Sequence, residues 1–201
     1  MKDIKNKLLD VILNCPDLEW KELGAVAKYE QPTKYLVKSS NYSDDYTLPV
    51  LTAGKTFILG YTNETEGIYR ASENPVIIFD DFTTANKWVD FDFKAKSSAM
   101  KMITSVNESK VPLKYIYYWL NSLPELEVGD HKRQWISNYA KKMIPIPPLP
   151  IQQKIVDILD TFTTLTAELT AELTAELTAR KQQYEYYRGL LLSFPKPEEV
   201  R

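Results

Sequence analysis

Residues 144–192 read IPIPPLPIQQKIVDILDTFTTLTAELTAELTAELTARKQQYEYYRGLLL and carry the strongest structural signal in the sequence. Proline fixes φ and removes a backbone donor, so residues 145–150 are predicted to form a rigid break that is not helix interior. Beyond Pro150 there is no further proline before Pro195, and Gly189 is the only glycine. The pattern predicts one helix of about 64 Å at 1.5 Å per residue, within residues 150–194, followed by a short tail at 195–201.

An exact tetrad repeat lies inside this helix. The sequence TAEL occurs three times between Thr166 and Leu177, and a fourth copy breaks off at Arg180. Four residues are slightly more than one turn, so each copy adds about 6 Å of axial length. Such a repeat is typical of a segment that holds two objects a set distance apart. The repeat also places glutamates at i, i+4, a weakly unfavourable spacing that Arg180 is positioned to relieve at Glu176.

The helix carries an apolar stripe that needs a partner helix, because a single stripe this long has no core of its own to pack against. Inside the repeat the spacing is strictly four, so the stripe turns by about 40° per copy. This drift favours right-handed over left-handed packing against a partner helix. The alternative is a low-complexity helix that stays solvated. The candidate dimer or partner residues are Ile151, Ile155, Ile158, Leu159, Phe162, Leu165, Leu169, Leu173 and Leu177.

The remaining chain is predicted to be β-rich. Helical spacing of apolar residues indicates a short N-terminal helix in residues 1–15, which Pro16 ends. Short apolar or alternating runs between residues 20 and 105, such as GAVAKY, TFILGYT and PVIIFDDF, predict strands of a compact mixed sheet. Residues 112–122 predict a helix that packs on this sheet, with the aromatic residues Trp88, Tyr115, Tyr117, Tyr118 and Trp119 in the core. The fold class is therefore α+β, with a compact domain at 16–149 before the long helix.

Composition excludes several classes of protein. With Cys15 as the only cysteine and His131 as the only histidine, an internal disulfide is impossible and a zinc site of Cys and His is not expected. No apolar run approaches the about 20 residues that cross a membrane, and MKDIKNKLLD does not resemble a signal peptide, so we expect a cytoplasmic protein. Residues 16–150 carry 16 Lys or Arg and 17 Asp or Glu, which argues against a simple basic nucleic-acid binder.

Taken together, these motifs resemble the specificity subunit of type I restriction–modification systems. The matching segments are Trp20-Lys-Glu-Leu-Gly-Ala-Val, Leu51-Thr-Ala-Gly54, IIFDDFTTANKW (77–88), IPIPPLPIQQKIVDILD (144–160), the TAEL repeats and RKQQYEYYRGLLL (180–192). The proline-rich segment before a long helix is fairly specific, and the repeats are highly specific. The motifs in the predicted strands would be weak evidence for the resemblance if they stood alone.

The resemblance implies a target-recognition domain that reads one half of a split DNA site, and a helix that spaces it from a second such domain. The usual subunit has two of each, whereas this sequence has one of each. A half-length subunit would homodimerise through antiparallel pairing of its long helices and read a palindromic split site. The alternative is that the chain is a truncated product or a deliberately expressed half of the usual subunit. The family also implies adenine-N6 methyltransferase subunits, which would bind S-adenosylmethionine, and a restriction subunit. No cofactor and no catalysis are expected in this chain.

Base edges are read by Arg, Lys, Asn and Gln, and phosphates by Lys, Arg, Ser, Thr and Tyr. Three loops and a fourth segment beside His131 supply such side chains, any of which could instead lie in a solvated loop. The candidate DNA-binding residues are Lys34, Lys38, Ser40, Asn41, Lys55, Tyr61, Asn63, Arg70, Thr84, Asn86, Lys87, Lys132, Arg133 and Gln134.

Two other functions remain open at this stage. Asp80, Asp81 and Asp92-Phe-Lys94 loosely imitate a Mg²⁺-dependent nuclease, although these residues also fit a turn and an exposed strand face. A coiled-coil adaptor or antirestriction decoy would occupy methyltransferase subunits without reading DNA, which the near-neutral charge allows. Walker A and adenine-methyltransferase motifs are missing from the sequence. DNA recognition is the interpretation that the residues favour.

Overall fold

A computed structural model describes residues 15, 17–54, 56–124 and 133–194. The chain divides into two compact units, Met1–Val156 and Asp157–Arg201. The predicted N-terminal helix and the tail at 195–201 lie outside the described residues. Within the described ranges, no helix is both long and apolar enough to cross a membrane.

The described elements alternate short strands with short helices before one long helix. The strands in chain order are β1 (Glu19–Glu22), β2 (Ala27–Glu30), β3 (Leu48–Leu51), β4 (Ile58–Thr62), β5 (Val76–Asp80), β6 (Asn86–Val89), β7 (Lys94–Ala95), β8 (Met100–Ser105) and β9 (Met143–Ile146). The helices are α1 (Leu23–Val26), α2 (Leu113–Ser122), α3 (Gln134–Ser137) and α4 (Leu149–Leu192), with 3₁₀ turns at Pro32–Tyr35 and Tyr139–Lys141.

The first unit is built on a four-stranded antiparallel sheet with strand order β2-β8-β5-β6. All five residues of β5 are buried, which is why its first four residues, VIIF, form a continuous apolar run and do not alternate. Ile77 and Phe79 face one core cluster, and Val76 and Ile78 face the other. The sheet is therefore covered on both faces.

Helix α2 belongs to the first core cluster. It begins directly after Pro112, which occupies the N-cap position and so needs no backbone donor. Tyr115 is buried, and Trp88, Tyr117, Tyr118 and Trp119 pack against the cluster, as the sequence predicted. Burial raises the pKa of Tyr115 to about 12, and its hydroxyl donates to the Pro145 carbonyl at 2.8 Å.

The second cluster lies against a three-stranded sheet of order β4-β3-β7, in which β3 pairs antiparallel with β4 and parallel with β7. β7 has only two residues, Lys94 and Ala95, and both are buried. This corrects the sequence interpretation of Lys94 as part of an exposed strand face. The buried lysine instead becomes the centre of the polar network described below.

Two local predictions are corrected by the remaining pair of strands. GAVAKY is not one strand, because Leu23–Val26 form helix α1, which buries Leu23 and Val26. The proline segment is not a break throughout, because Pro145 lies in β9 opposite Trp20 of β1 and helix α4 begins at Leu149. Proline is tolerated in β9 because this strand pairs on one side only, in a two-stranded sheet.

Helix α4 begins inside the first unit. Gln152 is 1% exposed, and its amide nitrogen donates to the carbonyls of Pro147 and Lys110 at 2.7 and 3.1 Å. Val156 belongs to the first core cluster, and Ile155 packs against it. The first two turns of the helix are thus fixed by hydrogen bonds and apolar burial, a role that the sequence did not reveal for Gln152 and Val156.

Candidate nucleic-acid interface

One buried lysine connects two of the loops that carry candidate contacts. The side chain of Lys94 is 1% exposed, and its Nζ lies 2.8 Å from Glu64 Oε2 and 2.6 Å from the Glu66 carbonyl. Glu64 in turn accepts backbone N–H bonds from Lys38 and Ser39, both at 2.9 Å through Oε1. Residues 36–41 and 62–67 are therefore clamped together through Lys94, and we call them the clamped loops.

Electrostatics and backbone geometry both support this clamp. The hydrogen bond from Lys94 is the main reason that the pKa of Glu64 is lowered, with further help from the backbone donors Ser39 and Lys38. Gly67 adopts a φ of +61°, and a Cβ at this position would lie 2.6 Å from the Lys34 carbonyl oxygen. Only glycine fits such a close approach, so the path of the second loop is set by its backbone as well as by the buried ion pair.

The clamped loops contain four of the predicted contact residues, Lys38, Ser40, Asn41 and Asn63, and a fifth, Lys34, lies in the 3₁₀ turn Pro32–Tyr35 just before them. All five are exposed. Lys34 pairs with Glu30, and Lys38 pairs with Glu66, each at 2.9 Å between exposed side chains. Exposed pairs of this kind contribute only about 0–1 kcal/mol, so a DNA phosphate could replace either glutamate at little cost.

Lys96 is a further basic residue at this surface that the sequence interpretation missed. Its Nζ donates to Ser40 Oγ at 2.9 Å and lies 5.8 Å from the ring centre of Tyr42. Lys94 and Lys96 are two residues apart at the end of a strand, yet one is buried and the other exposed. The alternation of a strand would have placed both on one face, so no local signal separated their roles.

A second candidate surface follows the turn between β5 and β6. Asp80 Oδ1 accepts the backbone N–H groups of Phe82 and Thr83, and Thr84 adopts a φ of +64°. Such a conformation is rare for a β-branched residue and is retained only where the surroundings enforce it. The turn presents Thr83, Asn86 and Lys87 to a cavity of about 560 Å³, whose described lining also includes Phe57, Leu120 and Asn121.

Within this cavity Lys87 Nζ lies 4.7 Å from the ring centre of Phe57. Asn86 is half-buried, and its side-chain oxygen is enclosed without a hydrogen-bond partner. The oxygen has no accessible surface, so its unmet hydrogen bond is a cost of the fold and not a contact that a ligand could make directly.

The structure corrects two of the predicted contacts. Thr84 and Gln134 are only 7% and 6% exposed, so both offer little surface to DNA, and Thr84 contributes only to the lining of the cavity beside the turn. Thr84 is part of the turn, where its N–H donates to the Asp80 carbonyl, and Gln134 accepts a bond from Asn138 as the first residue of α3. Local sequence could not reveal their burial, because it follows from packing against distant segments.

The other predicted contacts are scattered. Arg70 forms a 2.5 Å ion pair with Asp92, whose pKa is lowered first by Ser72 and then by Arg70. Tyr61 is half-buried in β4, and Arg133 is exposed before α3. Lys55 and Lys132 lie outside the described residues. Neither Arg70 nor Arg133 shares a hydrogen bond with the clamped loops among the bonds of the described residues.

The residues of the nuclease hypothesis have structural partners. Asp81 Oδ1 accepts the Trp135 N–H at 2.8 Å, and its Oδ2 lies 3.3 Å from Nζ of the buried Lys101. Asp80 caps the turn, Asp92 binds Arg70 and Ser72, and Lys94 binds Glu64. Across the described ranges, no group of three or more His, Cys, Asp or Glu residues could hold a metal ion. The arrangement therefore favours four separate structural roles.

The long helix presents its apolar residues to solvent. Leu165, Leu169, Leu173 and Leu177 are each 54–58% exposed, and Phe162 is 63% exposed. Arg180 lies 3.3 Å from Glu176, as the repeat predicted. The repeat threonines Thr166, Thr170, Thr174 and Thr178 donate their hydroxyls to the carbonyl four residues earlier, at 2.7–2.9 Å. They leave their methyl groups as the outward surface.

A family model described as the type I restriction modification DNA specificity domain matches residues 17–179. The chain belongs to this family. The matched range contains the clamped loops, the turn after β5 and the TAEL repeats.

Similar proteins agree with this membership of the specificity family. The chain is 67% identical over 198 residues to the EcoR124I/EcoR124II specificity subunit of Escherichia coli, covering 94% of this chain and 48% of that protein. The S subunit of M. genitalium superposes with a TM-score of 0.63 at 15% identity, over 88% of this chain and 46% of the other.

A chain from a solved type I restriction–modification system gives a TM-score of 0.55 at 19% identity, over 90% of this chain and 50% of that one. At these identities the two structural matches show the shared α+β fold alone. This specificity-family chain spans about half the length of the curated relatives it matches.

Proposed function

We propose that this chain is the non-catalytic DNA-recognition subunit of a type I restriction–modification complex and reads one half of a split site. The observation that carries the proposal is the pair of clamped loops in a domain of the specificity family. Loops that are already fixed before binding lose less conformational entropy on binding than free loops do. The buried Lys94–Glu64 pair thus favours specific recognition over loose electrostatic attachment.

The exposed side chains divide into two roles. Asn41 and Asn63 are suited to base edges, since an amide can bond bidentately to adenine. Lys38 and Lys96 are suited to phosphates, because their ammonium groups can exchange a surface partner for a phosphate oxygen. The Asn86–Lys87 surface is the second element of the proposed interface, because both residues line the cavity of about 560 Å³ beside the turn after β5.

The chemistry would lie in partner subunits. Adenine-N6 methylation requires the base to leave the stack, and a methyltransferase subunit carrying S-adenosylmethionine would perform that step. This chain would place the methyltransferase subunits over the correct adenine, and a restriction subunit would join the complete complex. The chain itself needs no cofactor for this role.

The long helix α4 leads to the proposed assembly. Two copies that pair through antiparallel long helices would present two identical recognition domains related by a two-fold axis. A symmetric protein of this kind reads a palindromic site, with the gap between the half-sites set by the helices. The exposed apolar residues of α4 support pairing of this helix with another helix.

The deciding experiment is to mix the chain with its cognate methyltransferase subunit and map methylation on random duplex DNA. The proposal predicts methylation confined to one split palindrome. If the chain assembles with the methyltransferase but no sequence preference appears, the adaptor or decoy function replaces the recognition function. Methylation at a split but non-palindromic site would retain recognition and remove the homodimer.

Substitutions connect the result to the surface. Asn41→Ala or Asn63→Ala should reduce discrimination at one base pair of each half-site by about 5–150-fold, corresponding to about 1–3 kcal/mol. Gln182→Ala, an exposed change on the helix, is the matched control and should leave the site unchanged. Equal effects of all three variants on every sequence would contradict base readout by the clamped loops.

A further inference from the structure

The turn between β5 and β6 holds a large apolar side chain out in solvent. Phe82 is 42% exposed, which alone would be ordinary at a protein surface. Its turn, however, is fixed by hydrogen bonds at successive residues. The backbone N–H groups of Phe82 and Thr83 donate to Asp80 Oδ1 at 2.9 and 3.3 Å. The Thr84 N–H donates to the Asp80 carbonyl at 2.9 Å, so the turn has little freedom to fold the ring away.

Asp81 anchors the same turn to three other segments, and each of its polar atoms takes part. Its backbone N–H donates to the Ala99 carbonyl at 3.3 Å, in the loop before β8, and its carbonyl accepts the Gln134 N–H at 2.8 Å. Its Oδ1 accepts the Trp135 N–H at 2.8 Å, and its Oδ2 lies 3.3 Å from Nζ of the buried Lys101 in β8. The direction in which the turn presents its tip is therefore set by Asp81.

This junction exposes positive charge and buries negative charge. Arg133 directly precedes Gln134, so its carbonyl carbon lies within about 4 Å of the Asp81 carbonyl oxygen. The side chain of Arg133 is exposed, and so is that of Lys87 in β6. Asp80 and Asp81 are only 7% and 1% exposed, and both carboxylates accept hydrogen bonds. An exposed ring beside two exposed cations is complementary to a polyanion with apolar groups, which describes DNA.

The chemistry of the ring narrows the contact further. Phenylalanine has no hydrogen-bonding atom, so it cannot read the donors and acceptors of base edges. Thymine is the base that carries a methyl group in the major groove, and apolar side chains discriminate it through that group. Exposed basic side chains such as Arg133 and Lys87 are suited to the neighbouring phosphates.

We propose that Phe82 contacts the methyl group of a thymine in the recognised half-site, and that Asp81 is the positioning residue that holds the ring in place. The proposal rests on the DNA recognition proposed above. It adds a specificity-determining residue that a search for hydrogen-bonding side chains does not select.

The DNA itself supplies the first test. Once the methylation map has defined the half-site, each thymine on either strand is replaced in turn by uracil, which lacks only the methyl group. Binding to these duplexes is measured by competition, using the full chain in complex with its methyltransferase subunit. At one position the replacement should weaken binding about fourfold, which corresponds to the loss of one buried methyl group.

Phe82→Ala should abolish this response, so that the variant binds the thymine and uracil duplexes equally and more weakly than the unchanged protein binds thymine. Phe91→Ala is the matched control. Phe91 is 37% exposed in the same unit but lines a different cavity, with Leu48 and Ile58. This control should retain the fourfold response.

Asp81→Asn tests the positioning role. Asparagine keeps an acceptor for the Trp135 N–H but removes the charge that faces Lys101. The thymine response should fall in this variant, while the base pair that responds to Asn41→Ala keeps its discrimination. A purely structural role would instead weaken discrimination at both base pairs together, in step with the free energy of unfolding measured in urea on the same samples.

The outcomes separate this contact from the proposed function. A half-site in which no thymine responds to uracil, or a response that Phe82→Ala retains, would overturn the contact and leave DNA recognition in place. Loss of assembly with the methyltransferase subunit in Phe82→Ala would show that the ring contacts protein, and would overturn the contact as well. A methylation map without sequence preference would remove the proposed function and the thymine contact with it.

Discussion

Deleting one TAEL copy, residues 170–173, should shorten the spacer of the recognised site without changing either half-site. The deletion joins two identical repeats, so each remaining threonine keeps its acceptor four residues earlier. The helix itself should therefore remain intact. Only the length of the helix and the rotation of one end relative to the other change. The deletion therefore tests whether the helix sets the distance between the half-sites.

The magnitude follows from helix geometry. For the antiparallel pair of the proposed function, with its two-fold axis placed within the repeat at Leu173, the two Asp157 residues lie about 48 Å apart along the helix direction. Deleting four residues from each helix moves that axis two residues closer to Asp157, so the separation falls to about 42 Å. The same change rotates the two ends by about 40° relative to each other.

Duplex DNA advances about 3.4 Å and about 34–36° per base pair. The 6 Å translation corresponds to just under two base pairs, and the rotation to just over one. We therefore expect the spacer to become one or two base pairs shorter.

The assay is to sequence the methylated sites in cells that express the chain with its methyltransferase partner. Thr170→Ala is the control, because it removes one back-bonded hydroxyl but keeps the length, and its spacer should match that of the unchanged protein. A changed half-site with a constant spacer would refute the idea that the helix sets the distance. An unchanged site after the deletion would refute it equally.

Four further predictions concern the domain. Lys94→Met leaves Glu64 without its buried donor, so it should lower the free energy of unfolding in urea by about 1.5–3 kcal/mol. It should also weaken specific DNA binding much more than non-specific binding. Equal losses in both kinds of binding would argue against the clamp. The pKa of Glu64 is lowered in the fold, so its stabilisation is present above the ordinary pKa of 4.5 and is lost as pH falls through the pKa of the folded state. The difference in free energy of unfolding between the protein and Glu64→Gln should therefore shrink on acidification. A difference that stays constant with pH would contradict this. Asp81→Ala should destabilise more than Asp81→Asn in thermal unfolding, because asparagine can still accept the Trp135 N–H while both lose the charge that faces Lys101. Gly67→Ala should destabilise the domain in the same assay, whereas Gly189→Ala, where nothing lies within 4 Å, should be neutral or slightly stabilising.

Several local features could be predicted because they depend on neighbouring residues alone. The helix after the prolines, the Arg180–Glu176 pair and the strand at 76–80 all follow from spacing, propensity and turn chemistry. The misassigned segments are those whose conformation depends on a distant partner. Pro145 is in a strand because β1 lies beside it, and residues 23–26 are helical in a run that local pattern assigned to a strand.

The candidate site was predictable in its residue types and not in its geometry. Lys38, Asn41 and Asn63 were selected because loops of this composition suit DNA, and all three are exposed. Nothing in the local sequence distinguished the buried Lys94 from the exposed Lys96, or showed that Thr84 and Gln134 are enclosed. Burial is a property of the packed sheet, to which residues far apart in the chain contribute.

The family, the single long helix and the increment of about 6 Å per repeat can all be derived from the amino-acid sequence, because they depend on motifs and on the fixed rise of a helix. The tertiary structure alone decided which lysine clamps the loops and which side chains stay available to a ligand. A lysine and a glutamate thirty residues apart in sequence meet only when β7 is inserted beside β3. The sequence shows which residue types are present, whereas folding decides which of them come into contact.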